Sequence, residues 1–386
     1  MNILKNIPLL KLAILFLIPF NLKFLLALPF LLRKRISILY SLENFKIQAL
    51  LFCIIFYVVC CDFIFFNASY LTIKRISPFL IALFISFVRI DMKFLAQLKR
   101  AIYIVFFVDF STNILSILIN LNIHLDTVNY FNSYYHSLVG IFDHPYLSVT
   151  LSCVTLLYAI LFKERRMQIF ALSALLVGST FRSLLFLYPI ILVYVFLARR
   201  INSALILVAL LFGVLTTFQI VKTSSNLEES KRCDTLDIHT NLYSKCASLN
   251  SSALRYYAWT SSSLSDFSFF PKKENVLKNR VNYPNLTLEL IEKEKILESP
   301  YLQAAFDYGI LYSFLHLSLF LFLFYHNYKK YLKVRINSFS KNLYSTKVII
   351  ASLFLFDSFY GTFFFCIISS LTIFFILFYD PKNVTS

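Results

Sequence analysis

The sequence predicts an all-α, polytopic transmembrane protein of about 10–12 helical spans with a small helical extracytoplasmic loop subdomain. Three observations predict it. Hydrophobic residues make up 59% of the chain and aromatic residues 18%, with a mean hydropathy of +0.71; soluble domains sit near 45–50% apolar. Apolar runs of about 18 residues or more recur, and they are continuous rather than alternating, which suits helices and excludes a barrel. The basic residues form short clusters between those runs instead of one solvated face. The +17 net charge therefore reports topology and implies no nucleic-acid partner.

Taken in order, residues 7–32 form one long helix or a short hairpin. No small-residue cleavage site follows, so this run is read as a retained span. Spans are expected over 46–66, 76–92 and 101–119, then over 145–162, 167–181, 183–198 and 201–221. Between them stand Arg33-Lys34-Arg35, Lys99-Arg100, Lys163-Glu164-Arg165-Arg166 and Arg199-Arg200, all cytoplasmic by the positive-inside rule. That assignment forces 120–144 outside, and this segment holds no Lys or Arg. Lys74-Arg75 then falls on the outer side, against the rule, and is outvoted by Arg89 and Lys93 at the other end of its span. Residues 1–221 thus make a first membrane block and 222–299 one long outer loop. Residues 300–386 make a second membrane block, with a span at 300–325, an inner segment at 328–345 holding Lys329, Lys330, Lys333 and Arg335, and one or two passes over 346–379.

The outer loop carries helical signals of its own. "SSALRYYAWTSSSLSDF" (251–267) has a Ser cap signal and puts Arg255 and Trp259 four apart, on one helical face. "NLTLELIEKEKILES" (285–299) reads as an amphipathic helix with Leu286, Leu290 and Leu297 among its apolar positions. Cys233 and Cys246 also lie in this loop, whereas the other cysteines fall in spans, which makes these two candidates for an extracytoplasmic disulfide. Glycine is scarce, at five in the chain, so close helix packing through small residues is not general here.

No Walker sequence, no GxGxxG and no His or Cys pair with ligand spacing is present, so no cofactor or metal is expected. Among acids in the spans, Asp109 and Asp357 stand as the candidates for a relay, fewer than a proton-coupled carrier shows. The outer side offers "YYHSLVGIFDHPYLS" (134–148), Arg182, Arg255 and "ILESPYLQAAFDYGI" (296–310). Two guanidinium forks suit a diphosphate, because each binds phosphate oxygens bidentately and stays charged at any working pH. A His or Glu beside them can take a proton from a sugar hydroxyl. Each residue also has a plain structural reading. Arg182 can snorkel to headgroups, His144-Pro145 can simply start a helix, Arg255 and Trp259 can form a cation–π pair, and Glu298 can end a charged run.

The order of "GIFDHPYLS", "GSTFRSLLF", a long outer loop with "RYYAW", and "ESPYLQAAFDYGILYSFL" opening the next span resembles the O-antigen polymerase and ligase superfamily, most closely Wzy-type O-antigen polymerases. The resemblance covers about 140–325. It implies that Arg182 and Arg255 hold an undecaprenyl diphosphate leaving group, with Trp259 and Tyr301 also binding substrate, and that Glu298 and His144 act in catalysis. The ligase branch carries a His-Asn pair where Glu298-Ser299 stands here, a departure that favours polymerase over ligase. The implied protein is a bacterial inner-membrane glycosyltransferase, active on the periplasmic face, with a lipid-linked glycan as donor and another as acceptor. A chain-length regulator protein and membrane lipid are its implied partners. The alternatives are a lipid-linked oligosaccharide flippase, the ligase itself, and a scaffold without chemistry.

Overall fold

A computed structural model describes residues 42–66, 70–88, 90–119, 145–177, 190, 193, 197, 268–271, 305, 307–334, 338–360 and 367–381. Among these residues there are eight α-helices and no strand. They are α1 (Leu42–Cys61), α2 (Tyr70–Ser86), α3 (Met92–Ile119), α4 (Pro145–Leu161), α5 (Arg165–Val177), α6 (Ile310–Lys333), α7 (Phe339–Tyr360) and α8 (Ile367–Phe378). A π-helical stretch, Asp62–Phe66, continues α1.

The expected all-helical character holds throughout the described residues, but several boundaries move. The expected span 76–92 starts earlier, as α2, and 101–119 is the C-terminal part of the longer α3. The expected 300–325 becomes Ile310–Lys333, so Lys329, Lys330 and Lys333 lie in the helix and not in a loop after it. Cations in a last helical turn face the carbonyl end of the helix dipole, which is where they are stabilising. The described residues of 346–379 belong to two helices, α7 and α8.

Helices α4 and α8 form the centre. Every residue from Ser148 to Ala159 is buried, and so is every residue from Thr372 to Leu377; neither stretch holds a charged residue, as a helix buried on all sides requires. The Tyr158 hydroxyl donates to the Thr372 carbonyl at 2.9 Å and ties the two together. Aromatic contacts carry the packing outward: Phe94 meets Phe375 edge-on, Phe354 meets Phe374, and Phe320 meets Phe354.

The outer helices show one buried and one exposed apolar face. In α1, Ile47, Leu51, Ile54, Val58 and Cys61 are buried at alternating steps of four and three, while Phe45, Phe52, Phe56 and Val59 are exposed. Helix α6 buries Tyr312, His316, Leu319, Leu323 and Tyr331 and exposes Ile310, Phe314, Leu321, Tyr325 and Leu332. Large apolar stripes of this kind are rare on soluble monomers. Helices α1 and α6 are also the two described helices long and apolar enough to cross a membrane.

A chain of contacts gathers the basic residues at one end. Lys99 pairs with Glu164 and lies over the Phe162 ring; Phe162 touches Phe339, and Phe339 touches Tyr379. Here α4 turns into α5 through a helix stop in which Glu164 N–H reaches the Ala159 carbonyl and Lys163 N–H the Ile160 carbonyl. Lys163 takes the left-handed backbone that glycine usually supplies, with φ of 56°. Asp91 and Ser338 cap α3 and α7 at the same end, accepting from Phe94 N–H at 2.6 Å and Lys341 N–H at 3.1 Å. Helices α4, α6 and α8 run toward this basic end, and α3, α5 and α7 run away from it.

Candidate functional site

Away from the basic end, two buried carboxylates organise the helix starts. Asp109 lies on α3, ten residues beyond Lys99 and so about 15 Å along the helix from it. Its carboxylate accepts from the Ser148 hydroxyl in the first turn of α4 and, at 3.4 Å, from the Asn113 amide one turn further along α3. The same amide reaches Ser148 Oγ at 3.1 Å. A buried acid in this setting needs donors, and here a hydroxyl and an amide are among those that supply them. Asn113 Oδ1 is buried without a hydrogen-bond partner among the described residues. Ser148 closes the sequence stretch "GIFDHPYLS", four residues after His144 in the sequence.

The second carboxylate is Asp62, at the end of α1. It is 4% exposed, and Oδ1 accepts from the Tyr308 hydroxyl at 3.0 Å. The carbonyl of Tyr308 in turn accepts from the Tyr57 hydroxyl at 2.7 Å. The chain is helical at Ala305, Asp307 and Tyr308, then breaks at Gly309, with φ of 83°, before α6 begins. The freed N–H groups of Ile310 and Leu311 donate to the carbonyls of Ser268 (2.9 Å) and Phe269 (3.3 Å). Loop residues thus fill the donor positions that a helix start leaves open. Asp307 and His316 are buried close by in sequence, and the His316 ring lies against Phe79, Tyr312 and Phe320.

Of the residues singled out from the sequence, Asp109 is described and lies in a hydrogen-bonded cluster. His144, Arg182, Arg255, Trp259, Glu298 and Tyr301 lie outside the described residues, as do Cys233 and Cys246. Asp357 falls within α7, and its side chain is likewise outside them. Sequence reasoning passed over Asp62, Asp307 and the two tyrosines. A signal existed for Asp62, because a lone acid directly after the apolar run Leu50–Cys61 must pair with something if it is inside. Its partner, 246 residues away, has no local signature. Among the described residues, no group of three or more His, Cys, Asp or Glu side chains converges to hold a metal ion.

No known protein family matches the chain, and no curated protein or solved structure matches it either.

Proposed function

We propose that the chain is a multi-pass protein of the bacterial inner membrane that polymerises undecaprenyl diphosphate-linked repeat units into O-antigen or a related surface polysaccharide. One observation supports this reading above the others. The two sequence stretches that open helices after outer segments, "GIFDHPYLS" and "ESPYLQAAFDYGI", each lead into a buried carboxylate away from the basic end, at Ser148–Asp109 and Tyr308–Asp62. Those stretches are also the ones that carry the resemblance to O-antigen polymerases. The apolar outer faces of α1 and α6 suit lipid, where they cost nothing.

In the proposed reaction Arg182 and Arg255 hold the diphosphate of the donor, and Glu298 takes the proton of an acceptor sugar hydroxyl. The hydroxyl oxygen attacks the anomeric carbon, the bond from that carbon to the diphosphate breaks, and the diphosphate leaves with the electron pair. Guanidinium groups aimed at the leaving group stabilise the charge that develops on it, usually the largest protein contribution to such a step.

A second reading, a lipid-linked oligosaccharide flippase, gains from a specific finding. Asp62, Asp109 and Asp307 are all buried, more acid inside the bundle than the sequence suggested, and buried acids serve ion-coupled carriers. Deletion separates the two. A strain lacking the chain should make lipopolysaccharide with a single repeat unit if it polymerises, and none with a surface repeat if it flips. Normal polymer length in the deletion strain would remove both.

A further inference from the structure

Asp62, Tyr57, Tyr308, Gly309 and the loop residues Ser268–Phe270 form a node that the reaction proposed above does not use. Three distant parts of the sequence meet there: the end of α1, the middle of the long loop and the start of α6. Every link is a hydrogen bond of ordinary length, from Tyr308 to Asp62, from Tyr57 to the Tyr308 carbonyl, and from Ile310 and Leu311 to the loop carbonyls. Gly309 permits the closest approach. A Cβ there would stand 2.5 Å from the Phe269 carbonyl oxygen, and the left-handed backbone at this position is one that side chains disfavour.

The chemistry of Asp62 is uneconomical for stability alone. Its carboxyl is buried, and Oδ2 has no hydrogen-bond partner among the described residues. An apolar residue of similar size would remove that cost, and replacing buried polar groups in this way is often neutral or stabilising. What the carboxyl does provide is one directional bond, to the hydroxyl of the residue that precedes the helix break. The π-helical stretch begins at Asp62 itself, and such stretches are frequent at functional sites.

We propose that Asp62 is a positioning residue: through Tyr308 it pins the start of α6 and residues 268–271 together, so that the chain between residues 271 and 305 is tethered at both ends. Glu298 is seven residues before Ala305 and Tyr301 four, so chain length alone keeps them within about 25 Å and about 14 Å of the anchored chain. Anchoring both ends of that segment lowers the entropy lost in bringing Glu298 to an acceptor. This functional part rests on the polymerase reading; the node itself does not.

The test compares four variants in full-length protein, at matched membrane abundance. Amide hydrogen exchange is read on a peptide covering Ile310 and Leu311, with the protein in lipid nanodiscs, and polymer length is read from a deletion strain. Tyr308→Phe removes only the donor hydroxyl and should speed exchange at these amides by about tenfold, with shorter polymer. Asp62→Leu should do the same, and Gly309→Ala more. Asp62→Asn keeps an oxygen that accepts from Tyr308 and should restore both readouts to near the wild-type values. Unchanged exchange in Tyr308→Phe would overturn the proposal, and that variant is the mildest should Asp62→Leu fail to accumulate. Loss of polymer in Asp62→Asn with exchange unchanged would also overturn it, by showing that the charge acts in the chemistry. A wild-type chain that makes no polymer would sink the polymerase reading alone, since the exchange arm still decides whether Asp62 holds the node.

Discussion

The two ends of the bundle are held by opposite chemistry. At the basic end lysines satisfy backbone carbonyls and aromatic faces: Lys341 donates to the Tyr331 carbonyl at 2.6 Å and lies over its ring, and Lys347 donates to the Tyr379 carbonyl at 2.7 Å. Away from it carboxylates receive neutral donors, Ser148 and Asn113 at Asp109 and Tyr308 at Asp62. A cation at a helix C-terminus works with the backbone dipole and can sit beside water. A buried carboxylate that accepts from hydroxyls and amides depends on those directional bonds for its place in the interior. The difference teaches that one end of the bundle is held by cations on helix-terminal carbonyls and the other by directional bonds to buried carboxylates.

The largest expected effect would break the comparison outright. If the end with the carboxylates is the working end, Arg182→Ala should leave almost no polymer, and Arg182→Lys should be much poorer than wild type because a lysine keeps the charge and loses the fork. Polymer length on a gel, at equal membrane abundance, measures it; full-length polymer from the alanine variant would take Arg182 out of the site. Orientation comes next. Phosphatase fusions should be active near residue 260 and inactive near residue 335, and the opposite pattern would put the carboxylates on the cytoplasmic side.

Smaller effects sharpen the contrast between the ends. Ser148→Ala removes the hydroxyl donor to a buried carboxylate, and thermal unfolding in detergent should show a loss of about 1–3 kcal/mol. Lys347→Met removes one hydrogen bond to a carbonyl together with a buried charge, and about 1 kcal/mol is expected. Glu164→Gln should be the mildest. Its pairing with Lys99 has partner exposures of 33% and 16%, where solvent screening leaves a few tenths to 1 kcal/mol. A loss at Glu164 larger than that at Ser148 would reverse the assignment of which end depends on its polar bonds.

Among the described residues, helix content was legible where a long apolar run lay between polar residues. Helices α1 and α4 fall close to their expected limits, because run length alone decides whether backbone groups can be satisfied internally. Asp109 was legible as a polar outlier in such a run. Its partner Ser148 was not, since a serine in a helix has many partners open to it, and only the approach of α3 to α4 selects one. The break at Gly309, between the helical residues Ala305, Asp307 and Tyr308 and the start of α6, was not legible. Nothing local at Ile310 marks a boundary as strong as the one that Gly309 makes when Phe269 stands against it.

By itself the sequence determined the helical class of the described residues, the apolar runs and the grouping of basic residues between them. These follow from composition and spacing, properties that each segment carries alone. Tertiary structure alone decided that α4 and α8 lie at the centre, that Asp62 meets Tyr308, and that residues 268–271 close over the start of α6. The physical reason is distance along the chain: a hydrogen bond between residues 246 apart depends on how whole helices are arranged, and no short stretch of sequence encodes that arrangement.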